Sequence, residues 1–362
     1  MINQRRVHKI AMIGDSLSIG GAERVHAVLS EYFQHRGIDV HNCIFTDKIT
    51  YRYGGKLLNL GKVAPGDVSP VRKLKRFLAM RKFIRENNFD SVIDFRMRQG
   101  FLQELMISAI YPKGSIYTVH HSVLEFYLPK SSFAAKLIYK QHRLVGCSKW
   151  ICERVTARKI FPAVTLIYNP VSKVDLPTDS SSEAAYIVSA GRMKDNIKQF
   201  DGLIRAYSQS ELPQKNIKLM LLGEGQNLDK YQQLARELGV ADLVVFQGFV
   251  DNPFAFYKNA LFYVLSSKQE GFPMGLIECL SMGTPVVAFD CLSGPSEIIR
   301  NHENGLLVED QNFERLREAI NEFVEDRTLY LHCKANAHNS VQRFSIDTIG
   351  RQWLEYLKIE LN

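Results

Sequence analysis

From Lys9 to Phe289 the chain repeats one pattern. A short apolar run gives way to a loop, then to an amphipathic stretch of helical length, then to the next run. Short buried strands joined by helical crossovers fit one arrangement well, a parallel sheet with helices on both faces. The runs Lys9–Ile13, Val40–Phe45, Val92–Phe95, Ile116–Val119 and Leu144–Gly146 predict a first set of strands, with GGAERVHAVLSEYFQHRG as a helix after the first. The pattern breaks at Asn169. There NPVSKVDLPTDSSSEAAY is rich in Pro, Ser and Asp and reads as a linker. It restarts at Tyr186–Ala190 and continues through Leu219–Leu222, Val244–Gln247, Phe262–Leu265 and Val286–Phe289. The expected fold class is α/β, with two Rossmann-like doubly wound parallel-sheet domains over residues 1–170 and 171–344. Residues 345–362 form an amphipathic C-terminal helix with Ile349, Trp353, Tyr356 and Leu357 in one stripe.

Composition narrows the function. The hydrophobic share of 46% and charged share of 23% are those of a globular protein in water. Six cysteines, at 43, 147, 152, 279, 291 and 333, show neither a CxxC pair nor zinc spacing, which predicts free thiols in a reducing cytoplasm. The apolar run near the N-terminus is too short for a signal peptide, and no run is long enough to cross a bilayer. The net charge of +8 hides an asymmetry: residues 1–172 hold 27 Lys and Arg against 12 acids, and the remainder 19 against 26. A basic half suits phosphorylated ligands, nucleic acid or anionic lipid. The aromatic and motif signals of nucleic-acid binding are absent, so no nucleic acid is expected. Within that half, SPVRKLKRFLAMRKFIREN carries seven cations from Arg72 to Arg85 with no acid among them. Val71, Leu74, Phe77, Leu78 and Ile84 form a rough helical stripe. The stripe packs on the sheet, or the helix lies on an anionic membrane surface.

The most informative segment is EGFPMGLIE, Glu270 to Glu278. It lies between the strand-like ALFYVLSS and a helix that Gly283 and Pro285 end. One carboxylate therefore stands at the carboxyl end of a strand and the other about a turn inside the next helix. The free N–H groups of that first turn attract an anion. Amides toward phosphate and carboxylates toward hydroxyls suit a sugar nucleotide; the plain alternative is a loop acid and a helix-surface acid. SAGRMKDNIKQF places Arg192 and Lys198 after the strand at Tyr186–Ala190, where two cations can neutralise a leaving diphosphate. No Asp-x-Asp occurs, so no metal cofactor is expected. Gly223 and Gly225 end another strand, and Val250 lies in the turn after a fourth; both turns would line the same crevice.

In the first half, GDSLSIGGAERV is not GxGxxG, which disfavours a dinucleotide oxidoreductase. Gly20 and Gly21 open a helix and let a phosphate or sugar approach, or form an ordinary tight turn. YTVHHS sets His120 and His121 at the end of a strand; one of them is a ligand candidate. Asp15 lies in the first-strand loop.

Together these residues resemble the retaining, GT-B-type glycosyltransferases of family 4, which build bacterial lipopolysaccharide, capsule and related glycans. The resemblance spans nearly the whole chain. It rests on SIGGAERV, YNPV, GRMKDNIKQF and above all SSKQEGFPMGLIECLSMGTPVVAFDCLSGPSEII. It implies two domains facing a cleft, with the last helix returning to the first. Glu270 would hold the donor sugar, Glu278 the ribose, and the amides of Phe272, Met274 and Gly275, with Leu276 beside them, the sugar and phosphate. Arg192 and Lys198 would balance the diphosphate, with Lys194 the alternative lysine. His120 would sit near the donor sugar, and Gly20 and Gly21 between donor and acceptor. The implied reaction moves a hexosyl or N-acetylhexosaminyl group from a nucleotide-diphosphate sugar, a UDP-sugar first, to a polyprenyl-diphosphate-linked, other lipid-linked or saccharide acceptor. The implied place is the cytoplasmic face of the membrane, peripherally bound. A UDP-sugar 2-epimerase of the same fold and a non-catalytic glycan- or lipid-binding protein are the alternatives.

Overall fold

The computed structural model describes residues 7–98, 100–172 and 185–360. Most of the expected linker, residues 173–184, lies outside them. The chain divides into two compact units, Met1–Ser172 with Ile346–Asn362, and Lys173–Ser345.

The first unit is built on strands β1 (Lys9–Gly14), β2 (Asp39–Ile44), β3 (Lys56–Asn59), β4 (Ser91–Asp94), β5 (Ile116–Val119), β6 (Arg143–Gly146) and β7 (Ala163–Leu166). They form one parallel sheet in the order β3-β2-β1-β4-β5-β6-β7. The helices are α1 (Gly21–His35), α2 (Ser69–Asn87), α3 (Phe101–Ser108), α4 (Ser132–Tyr139) and α5 (Lys149–Ala157). The order reverses between β1 and β4, where the loops after two adjacent strands part in opposite directions and open a crevice.

The second unit repeats the plan with β8 (Tyr186–Ala190), β9 (Lys218–Leu222), β10 (Val244–Gly248), β11 (Tyr263–Leu265), β12 (Val286–Phe289) and β13 (Gly305–Val308) in the order β10-β9-β8-β11-β12-β13, again parallel. Its helices are α6 (Phe200–Ser208), α7 (Leu228–Glu237), α8 (Phe254–Asn259), α9 (Met274–Ser281), α10 (Pro295–Ile298), α11 (Phe313–Glu325) and α12 (Arg327–Ser340). Ile187, Leu219, Leu221, Val264 and Val287 point into one core with Phe200, Tyr207 and Leu316 from the helices. The switch point here falls between β8 and β11.

The last helix, α13 (Ile346–Leu357), belongs to the first unit. It buries Ile349, Trp353 and Leu354 and runs against α1, where Gly350 lies so close to the Tyr32 ring that a Cβ there would fall 2.3 Å from it.

Three strands were not anticipated: β3, β7 and β13. Each has four residues and stands at the edge of its sheet. β3 and β7 are only partly buried, so their apolar runs are weakly marked, whereas β13 is largely buried and was missed only because GLLV is short. The basic helix α2 also differs from a simple sheet-packed stripe. It buries Met80 and Ile84 but leaves Val71, Leu74 and Leu78 exposed.

Candidate functional site

In the second unit the loops after β8 and β11 are stitched together. Lys268 N–H donates to the Ile197 carbonyl at 2.8 Å, and the Ser266 hydroxyl to the Lys198 carbonyl at 2.8 Å. These bonds carry the Lys198 side chain over Gly191, where a Cβ would lie 2.7 Å from its Cγ. The Lys198 Nζ reaches Glu270 Oε1 at 2.6 Å. Sequence reading placed these two residues in one crevice; the structure makes them a hydrogen-bonded ion pair. Arg192 is exposed and makes no hydrogen bond or ion pair among the described residues. Lys194 is exposed too, its carbonyl held by the Gln226 side chain at 3.0 Å.

Gly223 is required by close approach. Its φ is +135°, and a Cβ would lie 2.0 Å from the Gly191 carbonyl oxygen. Gly225 packs in the same way against the Met193–Lys194 peptide. The Arg192 loop therefore rests directly on the β9 turn. Val250, after β10, is half-buried.

The segment after Glu270 is fixed from both sides. Glu270 N–H donates to the Leu292 carbonyl at 3.1 Å, and the Ser293 hydroxyl to the Gly271 carbonyl at 2.7 Å. Phe272 is buried, its ring against Phe344 at 5.1 Å. Met274 and Gly275 open α9, so their N–H groups have no helical carbonyl behind them. Gly275 is half-buried and crossed by the Tyr263 hydroxyl, 2.5 Å from where a Cβ would stand. Glu278 is buried, 3% exposed, about one turn into α9. Leu276 is a core side chain with no exposed surface, so only its backbone is available to a ligand. A carboxylate paired with a lysine, an unpaired arginine and a helix N-terminus thus sit on adjoining loops at the carboxyl end of one sheet.

In the first unit, Gly20 caps α1 and Gly21 begins it. The Glu23 carboxylate lies against Gly20, 2.1 Å from an ideal Cβ position. His120 is half-buried and stacks on Phe95 at 5.6 Å, which stacks in turn on His26 at 5.0 Å. Its Nε2 lies 2.9 Å from the Thr118 hydroxyl and its Nδ1 3.0 Å from the Asn169 side-chain oxygen. Thr118 donates its hydroxyl hydrogen to the Asp94 carbonyl, so it accepts from Nε2–H. Burial lowers the His120 pKa to about 4, so the ring is neutral near pH 7. A neutral ring is satisfied when the Asn169 amide turns its NH2 to Nδ1. Both nitrogens are thus engaged inside the unit, and a sugar contact at Nε2 requires exchange with Thr118. His121 accepts the Val123 N–H at Nδ1, 3.0 Å away. The Asp15 carboxylate accepts the Met97 N–H at 2.8 Å, and burial raises its pKa.

Sequence reading missed a buried charge cluster after β4. Asp94 grips Arg96 through Nε and through Nη2 at 2.6 Å, and the other Nη of Arg96 faces Glu104 at 3.4 Å. Arg98 donates to the carbonyls of Tyr127 and Thr118 at 2.9 and 3.0 Å. All four charged side chains are at most 3% exposed. The two arginines hold the Asp94 carboxyl below the usual range. The signal was DFRMR, an acid closing a strand and two arginines at the alternate positions after it.

Among the described residues no group of three His, Cys, Asp or Glu could hold a metal ion, and no helix is long and apolar enough to cross a membrane. All six cysteines are free.

Comparison with known proteins bears directly on these loops. Residues 19–173 match the model of Glycosyltransferase Family 4, and residues 177–340 that of Glycosyl transferases group 1. The chain belongs to the family 4 glycosyltransferases. This glycosyltransferase is 27% identical, over 97% of its length and 100% of the relative's, to a Campylobacter jejuni enzyme. That enzyme is the N-acetylgalactosamine-N,N'-diacetylbacillosaminyl-diphospho-undecaprenol 4-alpha-N-acetylgalactosaminyltransferase. It is also 27% identical to the lipopolysaccharide 1,6-galactosyltransferase of Salmonella typhimurium, over 90% of this chain and 92% of the relative. Among solved structures, Anabaena HepE in complex with UDP-glucose superposes with a TM-score of 0.76, at 20% identity, covering 97% of this chain and 99% of that one. The two-sheet architecture of the glycosyltransferase is that of the GT-B fold.

Proposed function

We propose that this glycosyltransferase moves a hexosyl or N-acetylhexosaminyl group from a UDP-sugar, with retention and without a metal, to a lipid-linked or saccharide acceptor of bacterial surface-glycan synthesis. The relatives named above act on a diphospho-undecaprenol-linked saccharide and on lipopolysaccharide, which supports that acceptor class. The observation that carries the reading is the Lys198–Glu270 pair at 2.6 Å beside the unpaired Arg192 and the start of α9.

The diphosphate lies on the cations and on the Met274 and Gly275 amides. Lys198 and Arg192 balance the charge that grows on the leaving phosphate, the task a metal ion performs elsewhere. Glu270, oriented by Lys198, accepts hydrogen bonds from donor-sugar hydroxyls. Glu278, deeper on α9, accepts from the ribose. The bond between the anomeric carbon and the phosphate oxygen breaks as the acceptor oxygen bonds to that carbon on the same face. The acceptor proton passes to the leaving phosphate. The cations of Arg72–Arg85 hold the protein at an anionic membrane, at the cytoplasmic face.

Purified Glu278→Ala and Glu270→Ala variants test the site. Loss of a ribose contact present in ground and transition states alike raises the Kd for UDP by roughly tenfold with a small change in turnover. Loss of the sugar contact lowers kcat by roughly a hundredfold with UDP affinity kept. Wild-type kinetics and UDP affinity in both variants refute the assignment.

A further inference from the structure

The outward faces of α3 and α4 are apolar, where a helix packed on a sheet ordinarily presents charge. On α3, Leu102, Leu105 and Met106 follow helical spacing and are 73%, 39% and 48% exposed. On α4, Phe133 and Leu137 stand one turn apart and are 76% and 50% exposed. The inward faces are already occupied: Glu104 and Ile107 are buried on α3, and Ala135, Ile138 and Tyr139 on α4. The two helices lie side by side, and these five exposed side chains are not used by the core.

The unpaired charge along this stretch of chain has one sign. Lys113, Lys130, Lys136 and Lys140 are exposed and enter no ion pair among the described residues. From residue 99 to 142 the acids are Glu104 and Glu125. Glu104 is turned inward onto Arg96, and Glu125 faces Arg158 at 3.7 Å. A second copy of the chain would set lysines against lysines. A bilayer with anionic headgroups instead accepts both features: apolar side chains enter the acyl boundary while the lysines reach the headgroups. Each helix has eight residues, about 12 Å of rise against a hydrocarbon core of about 30 Å, so each lies in the interface.

Position in the fold agrees. α3 and α4 start on the loops that leave the carboxyl ends of β4 and β5. That is the edge of the sheet at which α/β units bind ligands. Right-handed crossovers put α2, α3 and α4 on one face of the sheet. At the opposite, C-terminal ends of the helices, a groove lined by Ile84 and Arg85 of α2, by Phe89 beyond it and by Ile110, Tyr111 and Pro112 after α3 joins α2 to α3.

We propose that α3 and α4 are the membrane-inserting surface of this enzyme, with the cations of α2 flanking them on the same face. The inference deepens, and rests on, the reading of the acceptor as lipid-linked. The test is flotation of the full chain with vesicles of phosphatidylcholine alone and of phosphatidylcholine mixed with phosphatidylglycerol, read without donor or acceptor. Its comparison is the variant L102S/M106S/F133S/L137S, which changes exposed side chains only. Wild type should float with the mixed vesicles, and the variant should bind them about tenfold more weakly or worse. The variant should still transfer sugar to a water-soluble saccharide acceptor at the wild-type rate. Wild type that stays unbound, or a variant that floats as well as wild type, overturns the proposal. So does a wild-type dimer in light scattering that the four changes split, since these side chains would then join copies of the chain. A protein that floats through these residues yet transfers nothing upholds the surface and contradicts the proposed reaction.

Discussion

At the scale of single residues, Lys198 and His26 show how position decides chemistry. Lys194 stands in sequence as the alternative to Lys198, but only the loop stitched to Ser266 and Lys268 brings an ammonium to Glu270. His26 has no exposed surface; its Nε2 meets the Asn42 side chain at 2.9 Å, and burial lowers its pKa to about 4. An unfolded histidine titrates near 6.5. Between those values the unfolded chain binds more protons, so stability must fall as pH falls from 6.5 toward 4. The loss amounts to roughly 3 kcal/mol in all. Both tryptophans, Trp150 and Trp353, belong to the first unit, so their fluorescence in urea reports on it alone. Wild type should lose more stability between pH 7 and pH 5 than His26→Gln does; equal losses contradict the account. The carboxylates Glu270 and Glu278 were legible from their spacing around a Gly-Phe-Pro-Met-Gly turn. The Asp94–Arg96–Arg98–Glu104 cluster was not, because DFRMR reads equally as a solvated loop until the fold removes its water.

At the scale of elements, hydrophobic period located every central strand and missed β3, β7 and β13 at the sheet edges. The loops between strands carry the site, and their shape depends on contacts far apart in sequence. Gly223 is such a contact, since its backbone touches Gly191 across two adjacent strands. Gly223→Ala adds a Cβ to occupied space and forces an L-residue to φ +135°. The conformational strain alone is roughly 1–3 kcal/mol. Calorimetry should show a lower transition temperature for the second unit, with weaker UDP binding because the Arg192 loop is displaced. An unchanged transition would mean that the β9 turn gives way freely. The exposed face of α2 was only half legible: its cations are plain in the sequence, but whether Val71, Leu74 and Leu78 meet the sheet or solvent depends on the rotation of the helix.

At the scale of the whole molecule, the charge asymmetry follows the division into units. The basic half carries the helices α2, α3 and α4; the acidic half carries the Lys198–Glu270 pair and α9. The account's central claim is that the cations and amides of the second unit stabilise the leaving diphosphate while the sugar moves with its configuration kept. The direct measurement is proton NMR of the purified enzyme with a panel of α-linked UDP-sugars, a saccharide acceptor and excess EDTA, following the anomeric signals of donor and product. The account predicts that one donor is consumed, that UDP appears in step with an α-linked product, and that the chelator leaves the rate unchanged. A β-linked product, or a reaction that stops in EDTA and resumes with added magnesium or manganese, would contradict it.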